Sequence, residues 1–291
     1  MNIALVVNPS SGRRFNGQAI DILKTRLLDK HQLREFSASS DVELDAVGNR
    51  LSNGFDIVII CGGDGTVSRI CHYLINTEVP LLVFPMGSGN DFANHLNMSN
   101  NIDEILKNID RYEIRKINSI SINDGQHHCL TISCFAFEAK VNRIASTLPR
   151  FLGGVKYTIA TFIALLGKSH ETVSIESSDV TETNSYSLAI LANSPSFGGG
   201  MIISNKAHVE AEDLYLILVN KVNKLKLIYL FLLLLAGKHY ERPEFRQFPL
   251  KELKVQGVDT VIRAQSDGDS ITSGDFVAKL LPKSLTVLVC N

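Results

Sequence analysis

Four consecutive apolar residues, Ile57-Val58-Ile59-Ile60, run directly into Cys61-Gly62-Gly63-Asp64-Gly65-Thr66. A short, mostly β-branched run of this kind suits a strand buried on both faces, as in a parallel sheet. The glycines behind it are expected to take positive φ and to let a ligand approach the backbone with no Cβ in the way. Thr66 is a favourable N-cap for the helical pattern over 67–75. Strand, glycine turn and helix N-terminus together aim unpaired N–H groups at an anion, most often a phosphate. Asp64 is the exception in such a cradle, because a carboxylate repels phosphate. It implies an intervening Mg²⁺ or a hydrogen bond to a ligand hydroxyl. The alternative is a tight βα turn without a ligand, which three glycines around one acid disfavour.

The same construction recurs on either side. Ile3-Ala4-Leu5-Val6-Val7 reads as a buried strand closed by Asn8-Pro9-Ser10-Ser11-Gly12. The run over 80–85 reads as another, closed by Met86-Gly87-Ser88-Gly89-Asn90-Asp91. Helical spacing appears over 18–28, through Ile20, Leu23, Leu27 and Leu28, and over about 42–51 after the polar turn 37–41; a helical pattern resumes at Phe92. Strands alternating with helices predict a three-layer α/β domain around a parallel sheet. Loops leaving the C-terminal ends of such strands share one edge, where ligands bind. The turns 8–12, 62–66 and 87–91 are therefore expected to meet as a polyphosphate cradle. Arg13 and Arg14 stand close enough in sequence to reach a phosphate, although solvated charge is their default reading. A Walker lysine follows none of these glycine turns, and the dinucleotide fingerprint would need a small residue where Phe92 stands.

From about Lys116 the pattern becomes one of alternation. The stretch 117–124, a turn at Gly125 and a strand over 128–137 make a hairpin signal. Further strands are predicted over 173–176, 186–191, 214–219, 253–258 and 260–264. A mainly antiparallel β domain follows, with few helices. One is expected over 157–166 behind Gly153-Gly154, and another over 225–236, ended by Gly237 beside Lys238 and His239. The run 285–289 is a strand free to join either domain. The division is thus 1–116 and 117–283, with about 284–291 returning to the first. Gly198-Gly199-Gly200 reads either as a flexible loop or as a point of close backbone approach. Asp267-Gly268-Asp269 reads on its own as a turn, and as chemistry it offers a carboxylate at a strand end suited to general-base work.

Composition narrows the function classes. A formal net charge of −1 with 20% charged residues gives no global field for nucleic acid. The five cysteines are odd in number and irregularly spaced, and most lie in apolar segments, so they read as reduced core residues of a cytoplasmic protein. No basic-then-apolar leader is expected at the N-terminus. The longest apolar run, 227–236, is too short for a bilayer span, which takes about 20 residues. His127, His128, His170, His208 and His239 show no metal-ligand spacing.

With these pieces in order, the chain resembles the diacylglycerol kinase catalytic family over nearly its whole length. The resemblance rests on Asn8-Pro9-Ser10-Ser11-Gly12, Gly62-Gly63-Asp64-Gly65-Thr66, Pro85-Met86-Gly87-Ser88-Gly89-Asn90-Asp91, Gly198-Gly199-Gly200 and Asp267-Gly268-Asp269. The Gly-Gly-Asp-Gly-Thr element is shared with NAD kinases and is similar to the phosphofructokinase type; the Gly-Ser-Gly-Asn-Asp turn is specific to the lipid branch. What it implies is a kinase with an α/β nucleotide domain, a β-rich lipid-substrate domain and an active site in the cleft. ATP would contact Asn8, Pro9, Ser10, Ser11, Gly12, Ser37, Gly62, Gly63, Asp64, Gly65, Thr66, Val67, Ser68 and Ser88, with Asn90 and Asp91 in the adjoining turn. Mg²⁺ would bridge the polyphosphate to Asp64, and Asp267 or Asp269 would take the proton of a lipid hydroxyl. A second metal would lie at Val209, Glu212 and Leu214. Two departures stand out. The family's Asp-Gly at that metal loop is Glu212-Asp213 here, and its final Glu is the shorter Asp269. The helix over 225–236 and the segment 150–166 are candidates to line a lipid slot, with core packing preferred for the former. The expected partner is a lipid substrate, diacylglycerol or a relative, met by transient peripheral contact with a membrane; no nucleic acid is expected, and a homodimer is left open. An NAD kinase and a non-catalytic nucleotide-binding module are the alternatives.

Overall fold

The protein is described here from a computed structural model, which describes residues 1–11, 16–111, 113–136, 170–259 and 261–289, together with 144, 147 and 160. Gly12, Arg13, Arg14, the expected helix over 157–166 with Gly153-Gly154 before it, the rest of 150–166 except Ala160, Phe137, Thr260 and Cys290 lie outside the described residues. The chain divides into two compact units, Met1–Ile117 with Lys283–Asn291, and Asn118–Pro282.

The first unit carries β1 (Asn2–Val7), α1 (Gly17–Leu28), β2 (Gln32–Ser37), α2 (Asp41–Gly48), β3 (Ile57–Gly62), α3 (Asp64–His72), β4 (Leu81–Pro85), α4 (Asp91–His95) and α5 (Ile102–Arg111). Its strands run parallel in the order β2-β1-β3-β4, with the end of the last strand of the chain, β17 (Phe276–Val289), parallel to β4 at Val287–Leu81. On one face Ile3, Leu5, Val7, Ile57, Ile59, Leu82 and Phe84 pack with Ile20, Leu23 and Leu27 of α1 and Ile105 and Ile109 of α5. The alternate residues Ala4, Val6, Val58 and Ile60 point the other way and are equally buried. α2 and α3 pack together, and Gly48 is required there, since a Cβ would fall 2.1 Å from the Tyr73 ring. Across the same contact Asp45 takes a bidentate pair from Arg69, at 2.8 and 2.6 Å, and the Tyr73 hydroxyl at 3.0 Å.

Local chemistry sets the helix ends. Asn16 caps α1 through Ala19 N–H, and Ser40 with Glu43 forms a capping box at α2. α3 differs from expectation. It begins at Asp64 rather than 67, with Gly63 as its N-cap and no side-chain cap. Thr66 is thus inside the first turn, where its hydroxyl has another partner. Leu28, read as part of the apolar stripe of α1, is 59% exposed. β2 had no signal in the sequence because it is an edge strand whose only buried residue is Phe36.

The second unit contains β6 (His127–Cys129), β7 (Ile132–Ala136), β8 (Glu171–Glu176), β9 (Thr181–Ala192), β10 (Ser196–Phe197), β11 (Met201–Ile202), β12 (Leu214–Asn220), α6 (Lys224–Leu235), β13 (Arg246–Leu250), β14 (Glu252–Gly257), β15 (Arg263–Ser266) and β16 (Asp269–Ser273). β5 (Glu113–Ile122) and β17 cross the boundary between units. Among the described residues the pairings within this unit are antiparallel and centre on β9, which pairs with β7, β8 and β12. One core joins Tyr186, Leu216, Leu253, Val255 and Phe276. A second puts Leu227, Leu230, Phe231 and Leu234 of α6 against Ile190, Ile217 and Ile203. Core packing, preferred for this helix from its sequence, accounts for that inner face. α6 ends in a Schellman motif: Gly237, at φ 65°, donates to Leu234 and Lys238 N–H donates to the Leu233 carbonyl. Gly198, Gly199 and Gly200 all have positive φ and form the tight turn between β10 and β11.

Candidate functional site

In the first unit the chain leaves β1 toward β2 on one side and reaches β3 on the other, so the strand order reverses between β1 and β3. Such a reversal leaves a crevice at the C-terminal strand ends, where ligands of open α/β sheets bind. Val7 pairs with Ser37 and with Cys61, and Gly62 pairs with Pro85, so all four strands finish at one edge. The ladder runs one step further, through Asn8 N–H to Cys61 and Met86 N–H to Gly62.

Three turns leave this edge and are tied to one another. The Asn8 side chain, buried, donates from Nδ2 to Thr66 Oγ1 at 2.8 Å and accepts the Ser10 N–H on Oδ1 at 2.8 Å. Ser11 donates from Oγ to the Asn8 carbonyl at 2.6 Å, while Pro9 and Ser10 are exposed. The second and third turns meet backbone to backbone. A Cβ on Gly87 would lie 2.5 Å from Gly63 Cα, and one on Gly63 would lie 2.9 Å from Gly87 Cα. Positive φ, expected at the first glycine cluster, is absent at Gly62, Gly63 and Gly65. The left-handed residue is Asn90 (φ 56°), whose amide closes its own turn through Gly87 N–H and Gly87 C=O. That side chain is accordingly committed to the turn.

Asp64 is held by main-chain donors. Its Oδ2 accepts the Asn90 N–H at 2.6 Å and its Oδ1 accepts the Phe92 N–H at 3.3 Å. The carboxylate so placed fastens the second turn to the third. These donors are main-chain groups, which no side-chain pattern announces. Gly65 is exposed in the first turn of α3. Helix geometry gives the N–H groups of Gly65 and Thr66 no intrahelical acceptor. Val67 belongs to the core: it is 2% exposed and its N–H is bonded to Gly63. Ser68 and Ser88 are half-buried, Asp91 is buried at the start of α4, and Ser37 is exposed at the end of β2. Burial pushes the Cys61 thiol up, so no thiolate stands beside the turns.

In the second unit β15 and β16 are joined by Asp267-Gly268, both at positive φ (51° and 94°), a two-residue type I′ connection. The turn reading of this segment is therefore right. Asp267 accepts the Leu130 N–H at 2.7 Å, the Thr131 N–H at 2.8 Å and the Thr131 hydroxyl, beside Cys129 Sγ at 3.5 Å. Burial and this carboxylate push the Cys129 thiol well up. Asp269 begins β16 and is exposed.

The loop expected to hold a second metal has Val209 buried with its carbonyl accepting Asn118 N–H at 2.7 Å, Glu212 exposed, and Leu214 buried at the start of β12. No three His, Cys, Asp or Glu side chains converge among the described residues. One carboxylate and two carbonyls fit Mg²⁺ only as an ion carried largely by ligand phosphates and water, its usual manner of binding.

Comparison with known proteins agrees with this architecture. Residues 2–122 match the diacylglycerol kinase catalytic domain, and residues 132–289 match the YegS C-terminal NAD kinase beta sandwich-like domain. A diacylglycerol kinase of Mycobacterium tuberculosis is 25% identical over 98% of this chain and 94% of its own length. One from Staphylococcus saprophyticus is 25% identical over 91% and 88%. A crystal structure of a diacylglycerol kinase from Bacillus anthracis superposes with a TM-score of 0.75 at 18% identity, covering 100% of this chain and 97% of that one. At that identity the superposition speaks for the fold. Family models that account for both units in order place the chain: it belongs to the diacylglycerol kinase family of lipid kinases, with a YegS-type C-terminal domain.

Proposed function

We propose that the protein transfers the γ-phosphate of ATP to the hydroxyl of a diacylglycerol or a related glycerolipid. The observation that carries this reading is the uncapped N-terminus of α3 at the reversal point of the parallel sheet. Gly65 and Thr66 would present their N–H groups to phosphate oxygens, with the helix dipole adding to the attraction. Asn8, by holding Thr66, and Asp64, by holding Asn90, keep the three turns at fixed spacing. Ser10, Ser11, Ser37 and Ser88 offer hydroxyls along the same edge. Mg²⁺, carried largely by the ligand's phosphates and water, would neutralise phosphate charge when bound. Catalysis of phosphoryl transfer is mostly positioning and charge neutralisation.

The acid that receives the acceptor's proton is assigned to Asp269. Asp267 is half-buried and accepts the Leu130 and Thr131 N–H groups, while Asp269 is the more exposed of the two to an incoming hydroxyl. As the lipid oxygen bonds to the γ-phosphorus, the bond to the bridging oxygen breaks, ADP leaves and the hydroxyl proton passes to Asp269. Incubation with γ-labelled ATP, Mg²⁺ and mixed vesicles containing diacylglycerol tests this. Label in the organic phase supports it. Label on added NAD, or nucleotide binding with no transfer to any acceptor, overturns it.

A further inference from the structure

α6 has two apolar faces. The inner one, Leu227, Leu230, Phe231 and Leu234, is buried in the core beneath it. The outer one is not: Leu225 is 81% exposed, Leu232 54%, Leu235 44% and Tyr229 41%. Positions 225, 229 and 232 follow the spacing that lines residues along one side of a helix. Large apolar side chains exposed singly are ordinary, but a stripe of them along one helix is an interaction surface.

The charge around the stripe identifies the occupant. From Leu214 to Glu244 the chain has four lysines, Lys221, Lys224, Lys226 and Lys238, and one arginine, Arg242, against two acids, Glu241 and Glu244, the latter paired with Lys226 at 2.6 Å. Two lysines precede the helix or open it, so its start is cationic, and the stretch as a whole is net positive. Tyr229 is itself bracketed by cations: Arg242 donates to its hydroxyl at 2.7 Å and stacks 5.6 Å from its ring, and Lys226 Nζ lies 5.6 Å from the same ring. An apolar stripe with a basic start, a net-positive surround and an amphipathic aromatic suits a helix lying in the plane of an anionic lipid surface. A second copy of the chain fits less well, because a twofold contact through this face would set one net-positive surface against another. At 12 residues the helix is about 18 Å long, too short to cross.

We infer that the outer face of α6 is the docking surface of this protein for an anionic membrane. The choice of a lipid occupant rests on the lipid-kinase reading. The side chains Leu225, Tyr229, Leu232 and Leu235 enter the headgroup–acyl boundary, and the lysines at the two ends meet lipid phosphates.

Co-sedimentation of the full chain with phosphatidylcholine vesicles, with and without phosphatidylglycerol, tests it. The wild type is expected to prefer the anionic vesicles. Leu225→Gln/Leu232→Gln should bind them on the order of tenfold more weakly. Lys221→Glu/Lys238→Glu should lose roughly tenfold at low salt, a difference that added salt erases. Thermal unfolding should leave both variants at the wild-type midpoint, since the changed side chains are exposed. Equal binding by wild type and either variant overturns the inference. So does a wild-type dimer that the leucine variant splits. Transfer to a short-chain diacylglycerol below its aggregation threshold reads the chemistry apart from docking. Its absence with vesicle binding intact would overturn the kinase reading alone; its presence without vesicle binding would overturn the docking surface alone.

Discussion

The Asp64 carboxylate accepts the main-chain N–H of Asn90 across 2.6 Å, and these residues belong to different turns of the same sheet edge. A charged acceptor on a backbone donor is among the stronger hydrogen bonds a protein makes. With the Phe92 N–H on its other oxygen, Asp64 fixes the start of α4 against the start of α3. The position of the third turn is therefore set by the second.

Removing the carboxylate should unfasten the two turns. Asp64→Ala is expected to cost about 1–3 kcal/mol of stability, read as a lower denaturant midpoint with unchanged slope. Nucleotide affinity by titration calorimetry should fall with it. Asp64→Asn keeps one oxygen acceptor and should lose less stability.

Gly87 and Gly65 separate packing from ligand approach. Gly87→Ala drives a Cβ to 2.5 Å from Gly63 Cα, and overpacking against backbone should destabilise by about 1–3 kcal/mol. Gly65→Ala meets nothing within 4 Å and should be neutral or gain up to about 1 kcal/mol from helix propensity. Its nucleotide affinity should nevertheless fall, because the added methyl stands where phosphate is proposed to bind. Thermal melts and nucleotide titration on the pair check both halves.

Asp267 and Asp269 should give opposite phenotypes. Asp269→Asn is a surface change, expected to stay within about 0.5 kcal/mol of wild-type stability while abolishing transfer of label to lipid. Asp267→Asn disturbs the acceptors of Leu130 and Thr131 and should lower the melting temperature. A pH–rate profile of each, beside its melt, distinguishes a lost base from a loosened hairpin.

Acid should weaken the second unit through Glu182. The Arg246 guanidinium, bonded at 2.6 and 3.2 Å, holds this carboxyl below the ordinary glutamate range against the opposing effect of burial; the Tyr186 hydroxyl assists. A carboxyl lowered by folding contributes stability above its unfolded value, and the contribution disappears as pH falls through the folded value. Urea unfolding from neutral to acid pH should show that loss. Glu182→Gln should lack this component and be less stable at neutral pH by about 1 kcal/mol, allowing for the partial exposure of the pair.

Much of this architecture is legible in the residues themselves. β1, β3 and β4 are continuous apolar runs because both their faces are buried, and Asp-Gly names its own hairpin turn. β2 escapes such reading: an edge strand with one buried side chain has no apolar signature. Thr66 misleads for another reason. A hydroxyl two residues inside a helix is as suitable in sequence as one at its cap, and only its bond to Asn8, 58 positions away, distinguishes them. Asp64 is the extreme case, since the two N–H groups it holds at Asn90 and Phe92 are of a kind that every residue type but proline supplies.

The discontinuity of the first unit bears on how the protein is made. Val287 completes the sheet beside Leu81, yet the ribosome reaches it only after the whole of the second unit. Until then the outer rim of β4 is bare, and an open strand rim invites pairing with another chain. A gene fragment stopping at Ile117 should consequently yield aggregate where the 291-residue chain yields monodisperse protein, and adding residues 283–291 as a separate peptide should restore solubility.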